Sequence, residues 1–189
     1  MVPLSALQPS RPLQLVLLLG LLSACGRPAA TPEDAELIDP PISRAELLGA
    51  EYPTDLVASG RIRLENGMFR AAADEGGGEE VGAQLVEPVA FGTLGDGRAV
   101  AAVVLVMSGG GSGTFSWLYL VAREGAGARV QADAFLGDRV ELSGLRLLGD
   151  TVLVKLVTQG PDDPLCCPTM VVERRYVFRA GMLGRVEGT

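Results

Sequence analysis

Apolar and polar residues alternate along much of the chain that follows Ser59. Ile62 and Leu64 alternate with arginines and a glutamate, and residues 170–179 repeat the alternation over a longer run. A period of two is typical of a β-strand with one buried face. Residues 99–107 are apolar on both faces instead, which indicates a central strand buried on each side.

Turn signals separate these runs. Asn66-Gly67 predicts a hairpin that joins the strand around Ile62 to residues 68–71. The glycines of residues 109–113 predict a flexible hairpin loop, and no Gly-Lys-Ser/Thr follows them to indicate a phosphate-binding loop. Roughly eight or nine short strands with turns between them predict a mainly β fold, a single antiparallel β-sandwich or curled meander domain.

One short helix is predicted near the N-terminal end of this region, and it is the only helix we expect. Ser43 and Glu46 have the spacing of a capping box, in which the serine caps the helix and the glutamate bonds back to the serine. Pro53 ends the helix soon afterwards. Residues 74–82 are mostly glycine and acids, so they predict a surface loop.

An apolar run at residues 13–22 precedes Ser23-Ala24-Cys25, with Arg11 as the one charge on its N-terminal side. These features are typical of a signal peptide, whereas a membrane-spanning helix needs about 20 apolar residues. The small residues before the cysteine resemble the lipobox of bacterial lipoproteins. The resemblance implies that Cys25 is the lipid attachment site and becomes the first residue of the mature chain. An ordinary cleaved signal peptide is the alternative.

The lipoprotein resemblance divides the chain into three parts. Residues 1–24 are expected to be the signal peptide, residues 25–42 a disordered tether containing several prolines, and residues 43–189 a β-rich extracytoplasmic domain. One acyl chain binds a membrane marginally, whereas two or more hold a protein stably. The expected location is therefore the bacterial cell envelope, with the membrane as a partner through the lipid anchor.

The amino-acid composition excludes several kinds of catalytic site and partner. The chain contains no histidine, which excludes Ser-His-Asp and Cys-His catalysis and histidine metal sites. Without residues 1–24, 15 basic and 23 acidic residues remain, so the net charge is −8. That balance makes nucleic acid a poor partner. We expect no cofactor and no metal ion.

Cys166 and Cys167 are the cysteines that remain beside Cys25. In an oxidising compartment an even pair is expected to bond, which makes these neighbours a candidate vicinal disulfide. The structural alternative is that this bond, or two buried thiols in its place, stiffens a proline-flanked loop. The functional alternative is a redox module, because strained disulfides are easily reduced, or a rigid ligand-binding loop. The absence of a Cys-x-x-Cys motif and of a basic neighbour favours the structural role.

Residues 91–98 (FGTLGDGR) resemble the calcium loop of FG-GAP-type repeats. In that loop, alternating acids hold the metal before a hydrophobic strand. Here Thr93 stands where the first acid would be, and Asp96 alone survives. Calcium takes about six to eight oxygen ligands, so this segment predicts a tight turn that has lost its metal.

Three further segments resemble a group of uncharacterised secreted bacterial lipoproteins. They are residues 110–115 (GGSGTF), 136–140 (LGDRV) and 163–169 (DPLCCPT), within a resemblance that runs from about residue 89 to 178. The resemblance supports an intact extracytoplasmic domain and implies no particular activity.

Phe115, Trp117 and Tyr119 project from one face of a predicted strand. Large aromatic residues are mostly buried, which favours a core face. An exposed row would instead stack on sugar rings or dock a partner.

Few acid–base groups remain for catalysis. An envelope hydrolase would need Ser112 or Ser116 beside Lys155, or two carboxylates across a cleft, for which Asp162 and Asp163 are the candidate acids. Adjacent acids in a loop point apart, however, and usually serve as turn residues. Nothing local brings either set together. The predicted function is therefore a membrane-anchored, non-catalytic binding or scaffolding domain, with an envelope protein or a polysaccharide as candidate partner. The hydrolase and the redox module are the alternatives.

Overall fold

The computed structural model describes residues 41–72, 80–164 and 167–187, all within the compact unit Leu37–Thr189. The predicted signal peptide, most of the tether, Cys25 and Cys166 lie outside the described residues. The described part of the chain forms one helix and eleven strands. In chain order these are α1 (Arg44–Leu48), β1 (Glu51–Pro53), β2 (Arg61–Arg63), β3 (Met68–Ala72), β4 (Glu80–Thr93), β5 (Ala99–Ser108), β6 (Phe115–Glu124), β7 (Gly127–Asp138), β8 (Glu141–Leu148), β9 (Thr151–Thr158), β10 (Met170–Arg179) and β11 (Met182–Val186).

The strands form three antiparallel sheets. A five-stranded sheet has the order β3-β4-β5-β6-β7, a four-stranded sheet has the order β11-β10-β9-β8, and β1 pairs with β2 alone. Each larger sheet is thus a meander of consecutive strands, and the five-stranded sheet is curled. The predicted fold class, mainly β and antiparallel with one short N-terminal helix, is confirmed.

The five-stranded sheet has a hydrophobic core on each of its faces. On one face, Leu118 and Leu120 of β6 pack with Val154 of β9 and the rest of the four-stranded sheet. On the other face, Val103 and Tyr119 pack with residues of α1, β1 and β2. The central strand β5 contributes to both cores, as its two apolar faces predicted.

The predicted capping box is confirmed at α1. Ser43 is the N-cap; its side chain accepts from the Glu46 backbone N–H, and its own N–H donates to the Glu46 carboxylate at 2.8 Å. The Ser43 hydroxyl also donates to this carboxylate, at 2.6 Å. That bond, the bond from the Ser43 N–H and the nearby Arg123 guanidinium lower the pKa of Glu46. Glu46 also forms an ion pair with Arg123 of β6, which ties the helix to the five-stranded sheet.

The predicted hairpin at Asn66-Gly67 is confirmed at its turn but not in its strands, because β2 and β3 do not pair with each other. Both residues have positive φ, 53° and 85°, as a two-residue hairpin turn requires. The ladder ends after one bridge between Glu65 and Met68. β2 instead pairs with β1, and β3 pairs with β4. The turn therefore connects the two-stranded sheet of β1 and β2 to β3 of the five-stranded sheet.

Other strand boundaries also differ from the prediction. Residues 80–82, predicted as loop, belong to β4, while residues 74–79 lie outside the described residues. The separate strands predicted at 139–142 and 145–147 are one strand, β8, interrupted by an irregularity between Leu142 and Gly144. β1 and β11 were not predicted, because they are short and carry a proline and a glycine that weaken the strand signal.

Candidate functional site

The five-stranded sheet carries an open groove with exposed aromatic residues, which we name the aromatic groove. Its volume is about 580 Å³. Strands β4 to β7 and the turn after β1 supply its lining, and this lining is largely apolar. The lining residues are Asp55, Leu56, Val81, Met107, Gly109, Phe115, Trp117 and Phe135.

The groove begins where the N-terminal layer stops covering the sheet. Tyr119 is 1% exposed because Tyr52 of β1 lies against it, with ring centroids 5.2 Å apart. Along the same face of β6, Trp117 is half-buried and Phe115 is 41% exposed. The predicted core face is therefore confirmed at Tyr119 and wrong at Phe115, since the covering layer ends between them.

Phe135 of β7 is the central ring of the exposed cluster. It is the register partner of Trp117, and their ring centroids lie 5.2 Å apart at an interplanar angle of 52°. The ring centroids of Phe115 and Phe135 lie 6.5 Å apart, at an interplanar angle of 41°. Phe135 is itself 50% exposed. The three rings are therefore inclined to one another and do not form one flat platform.

Carboxylates supply the charge around the aromatic groove. Asp55 lines it directly, and Asp133 is the register partner of Tyr119 on β7, two residues from Phe135. Burial raises the pKa of Tyr119, and the charges of Asp133 and Asp55 raise it further. Desolvation also raises the pKa of Asp133. Two carboxylates, those of Asp55 and Asp133, therefore lie near Tyr119 on this side of the sheet.

The three segments that resemble the secreted lipoproteins meet at a second cleft, of about 470 Å³. Ser112 and Thr114 come from the first segment, Arg139 and Val140 from the second, and Pro168 from the third. The three segments lie far apart in the sequence, and no local pattern indicates that they meet. The remaining lining residues are Val86, Glu87, Val106, Glu141 and Leu142.

Asp138 and Arg139 hold the glycine-rich loop before β6. The Asp138 carboxylate accepts from the Thr114 N–H at 3.1 Å, and the Arg139 N–H donates to the Thr114 carbonyl at 2.7 Å. The Arg139 guanidinium donates to the carbonyl of Ser112 at 3.2 Å and to Asp138 at 2.7 Å. Arg139 has a φ of 50°, which is uncommon for a residue with a Cβ. These contacts give Arg139 a positioning role that its sequence context did not indicate.

Asp163 organises the loop that carries the paired cysteines. Its carboxylate accepts from the Gly160 N–H at 2.8 Å and from the Thr169 N–H and hydroxyl, each at 2.7 Å. These bonds lower the pKa of Asp163. Cys167 is disulfide-bonded, and Cys166 lies outside the described residues. Asp163 is therefore a loop-ordering residue, as its reading as a turn acid predicted.

The segment with the FG-GAP resemblance forms the turn between β4 and β5. Asp96 accepts from the backbone N–H of Arg98 at 3.1 Å and from its guanidinium at 2.8 Å, and these bonds lower its pKa. The Gly95 N–H donates to Asp150, which fixes the turn against the four-stranded sheet. Within the described residues, no group of three or more acids and cysteines could hold a metal ion.

The structure does not bring the predicted serine–lysine pair together. Ser116 is buried in the five-stranded sheet, where its hydroxyl donates to the Val140 carbonyl. Lys155 is exposed on β9 of the other sheet, and Ser112 lies in the loop before β6. Asp162 is exposed. Its neighbour Asp163 already accepts a hydrogen bond from the Gly160 N–H of the same loop.

Phe135 is the principal site residue that the sequence analysis missed. It sits near the end of β7, and β7 is irregular against β6 at two points, between Ser116 and Trp117 and between Leu120 and Val121. A register drawn from alternation alone does not place Phe135 opposite Trp117. The one signal in the sequence was that Phe135 lies two residues after Asp133 on a predicted strand, so that both side chains share a face.

Among the residues that the structure describes, no helix is long and apolar enough to cross a membrane. No protein-family model, curated protein or solved structure matches this chain.

Proposed function

We propose that this chain is a lipid-anchored, extracytoplasmic domain of the bacterial cell envelope that binds a ligand in its aromatic groove without catalysing a reaction. The anchor follows from the lipobox resemblance at Cys25. The binding site follows from the aromatic groove, which is the observation that carries the proposal.

An aromatic ring that stays exposed forgoes the stabilising free energy that its burial would contribute, unless a ligand covers it. Complete burial of a phenylalanine side chain stabilises a protein by roughly 2 kcal/mol. Phe115 and Phe135 are 41% and 50% exposed, so each forgoes about 1 kcal/mol of that term. Contiguous exposed apolar surface of this kind marks interaction sites. A ligand that covers both rings would recover this free energy.

The tether supports a role at a membrane surface. Sixteen residues run from Cys25 to Pro40, and an extended chain of that length reaches at most about 55 Å. A domain held in this way can search for a ligand near the membrane while the lipid prevents its loss. Its net negative charge contributes nothing to binding anionic headgroups, which leaves the lipid as the anchor.

Photocrosslinking in intact cells tests binding at the groove. Phe135 is replaced with photoreactive benzoylphenylalanine, and the matched control carries the same group in place of Leu148, which is 58% exposed on the other sheet. We expect a discrete adduct from position 135 that is missing from position 148. The adduct should disappear when Trp117→Ala is added.

The same experiment can contradict the proposal. If positions 135 and 148 give the same adducts, or if neither gives one, the groove is not a specific binding surface. Circular dichroism of each variant establishes that the domain is folded before the adducts are compared.

A further inference from the structure

We propose that the aromatic groove recognises a quaternary ammonium group, that is, a small organic cation such as a trimethylammonium headgroup. The inference rests on the proposed function for the location of the site and deepens it by naming the ligand chemistry. The rings, the charge and the hydrogen-bonding capacity of the groove each support it.

The rings provide cation–π surface. A cation within about 6 Å of an aromatic centroid is attracted by the negative face of the ring, and tryptophan is the strongest partner. Phe135 touches both Trp117 and Phe115, at tilts of 52° and 41°. A cation that lay over two of these neighbouring rings would be attracted by more than one aromatic face.

The charge of the groove selects a cation. Asp55 is the one charged residue in the lining, and none of the eight described lining residues is a lysine or an arginine. Asp133 adds a second carboxylate on the same face, opposite Tyr119. An anion in the groove would be repelled by Asp55 and, more distantly, by Asp133, whereas a cation would be attracted by both carboxylates.

The scarcity of hydrogen-bonding groups favours a quaternary cation over a sugar. Among the lining residues that the structure describes, the carboxylate of Asp55 and the indole N–H of Trp117 are the polar side-chain groups. A sugar ring brings several hydroxyl groups that would lose their water without finding partners. A trimethylammonium group carries charge without any N–H donor, so an apolar lining with one carboxylate leaves none of its groups unsatisfied.

Trp117 makes the inference directly measurable, because it is the single tryptophan of the chain. The intrinsic fluorescence of the full mature protein is titrated with choline and, separately, with 3,3-dimethylbutan-1-ol, a neutral molecule of nearly the same shape. We expect a saturable change with choline and binding of the neutral molecule that is weaker by about tenfold. Matched solutions of sodium chloride correct for ionic strength.

Charge variants separate the electrostatic contribution. Asp55→Asn should weaken choline binding several-fold and leave the neutral molecule unchanged. Asp162→Asn is the control, because Asp162 is exposed in the loop between β9 and β10 and is not a lining residue of the groove. Asp162→Asn should bind choline as the unmodified protein does. Equal effects of the two substitutions would overturn the role assigned to Asp55.

Vesicles distinguish the two sources of this chemistry. A response to free choline assigns the site to a soluble ligand. A response confined to phosphatidylcholine vesicles, with none to phosphatidylglycerol vesicles, assigns it to a lipid headgroup. Either result supports recognition of a quaternary ammonium group.

Other outcomes overturn the inference. Equal affinity for choline and its neutral analogue would show a merely hydrophobic groove. A response to a soluble oligosaccharide but not to choline would assign the groove to sugars, and the proposed function would stand. No response to choline or to either vesicle, combined with a specific adduct from position 135, removes the inference alone; without that adduct the proposed function fails as well.

Discussion

The ring of Tyr52 meets the ring of Tyr119 edge to face, with centroids 5.2 Å apart and planes inclined by 67°. The Tyr52 hydroxyl donates to the Leu47 carbonyl at 2.9 Å, and the Tyr119 hydroxyl donates to the Pro53 carbonyl at 2.8 Å. This pair fastens the N-terminal layer to the five-stranded sheet. It also defines the point beyond which β6 is uncovered and the aromatic groove begins.

Removing the Tyr119 hydroxyl should loosen that layer. Tyr119→Phe leaves the Pro53 carbonyl without its partner, so we expect a loss of roughly 1 kcal/mol in the free energy of unfolding, measured with urea. Tyr176→Phe is the matched control, since Tyr176 is buried but makes no described hydrogen bond through its hydroxyl. Equal losses for the two variants would show that the bond to Pro53 contributes nothing.

The same tyrosines predict sensitivity to alkali. Burial raises the pKa of Tyr52 and of Tyr119 above the value of about 10 that an unfolded chain gives. The folded state therefore disfavours the phenolate, and this part of the stability is fully present below about pH 10 and is lost as the pH rises beyond it. Denaturation at several alkaline pH values should show a shallower decline for Tyr119→Phe. An unchanged decline would contradict the assignment.

An alanine at Gly67 should destabilise the domain more than an alanine at Gly97. Its φ is 85°, and a Cβ built there would lie 2.7 Å from Cδ2 of Leu48. Gly97 has a similar φ of 89° but no heavy atom within 4 Å of the added Cβ. Gly97→Ala should cost about 1 kcal/mol through backbone strain alone, and Gly67→Ala should cost more through the additional clash. Urea midpoints of the two variants test this, and a smaller cost at Gly67 would contradict it.

Asp163 should control the order of the cysteine-bearing loop. Asp163→Ala frees the N–H groups of Gly160 and Thr169, so we expect faster hydrogen exchange at both amides. Asp162→Ala should change neither rate. Because the pKa of Asp163 is lowered in the folded state, protection should persist above the ordinary carboxyl pKa and be lost as the pH falls through the lowered value. Protection that survives Asp163→Ala would assign the order of the loop to other contacts.

Sequence patterns among neighbouring residues were enough to predict most of the secondary structure. The capping box at Ser43 and Glu46, the doubly apolar strand at residues 99–107 and the alternation of β10 each concern residues close together in sequence, and all three were predicted correctly. Period and spacing decide such features without knowledge of the partner strand.

Pairing between distant residues was not accessible in the same way. The Asn66-Gly67 turn was predicted from the sequence. However, β2 pairs with β1 of the N-terminal layer and not with β3, which pairs with β4. Phe135 joins Trp117 only through the shifted register of β7. The exposure of Phe115 depends on where the N-terminal layer ends. The groove therefore emerges from tertiary packing, while the sequence alone indicated only that aromatics share a face.

The most direct test of the account is whether Cys25 carries lipid. Cells expressing the chain are grown with a labelled fatty acid, and the label is measured on the purified protein and on the Cys25→Ala variant. We expect label on the unmodified protein, none on Cys25→Ala, and release of the variant as a folded domain from the membrane fraction. An unlabelled mature protein, or a Cys25→Ala variant that keeps its label and its place in the membrane, would contradict it.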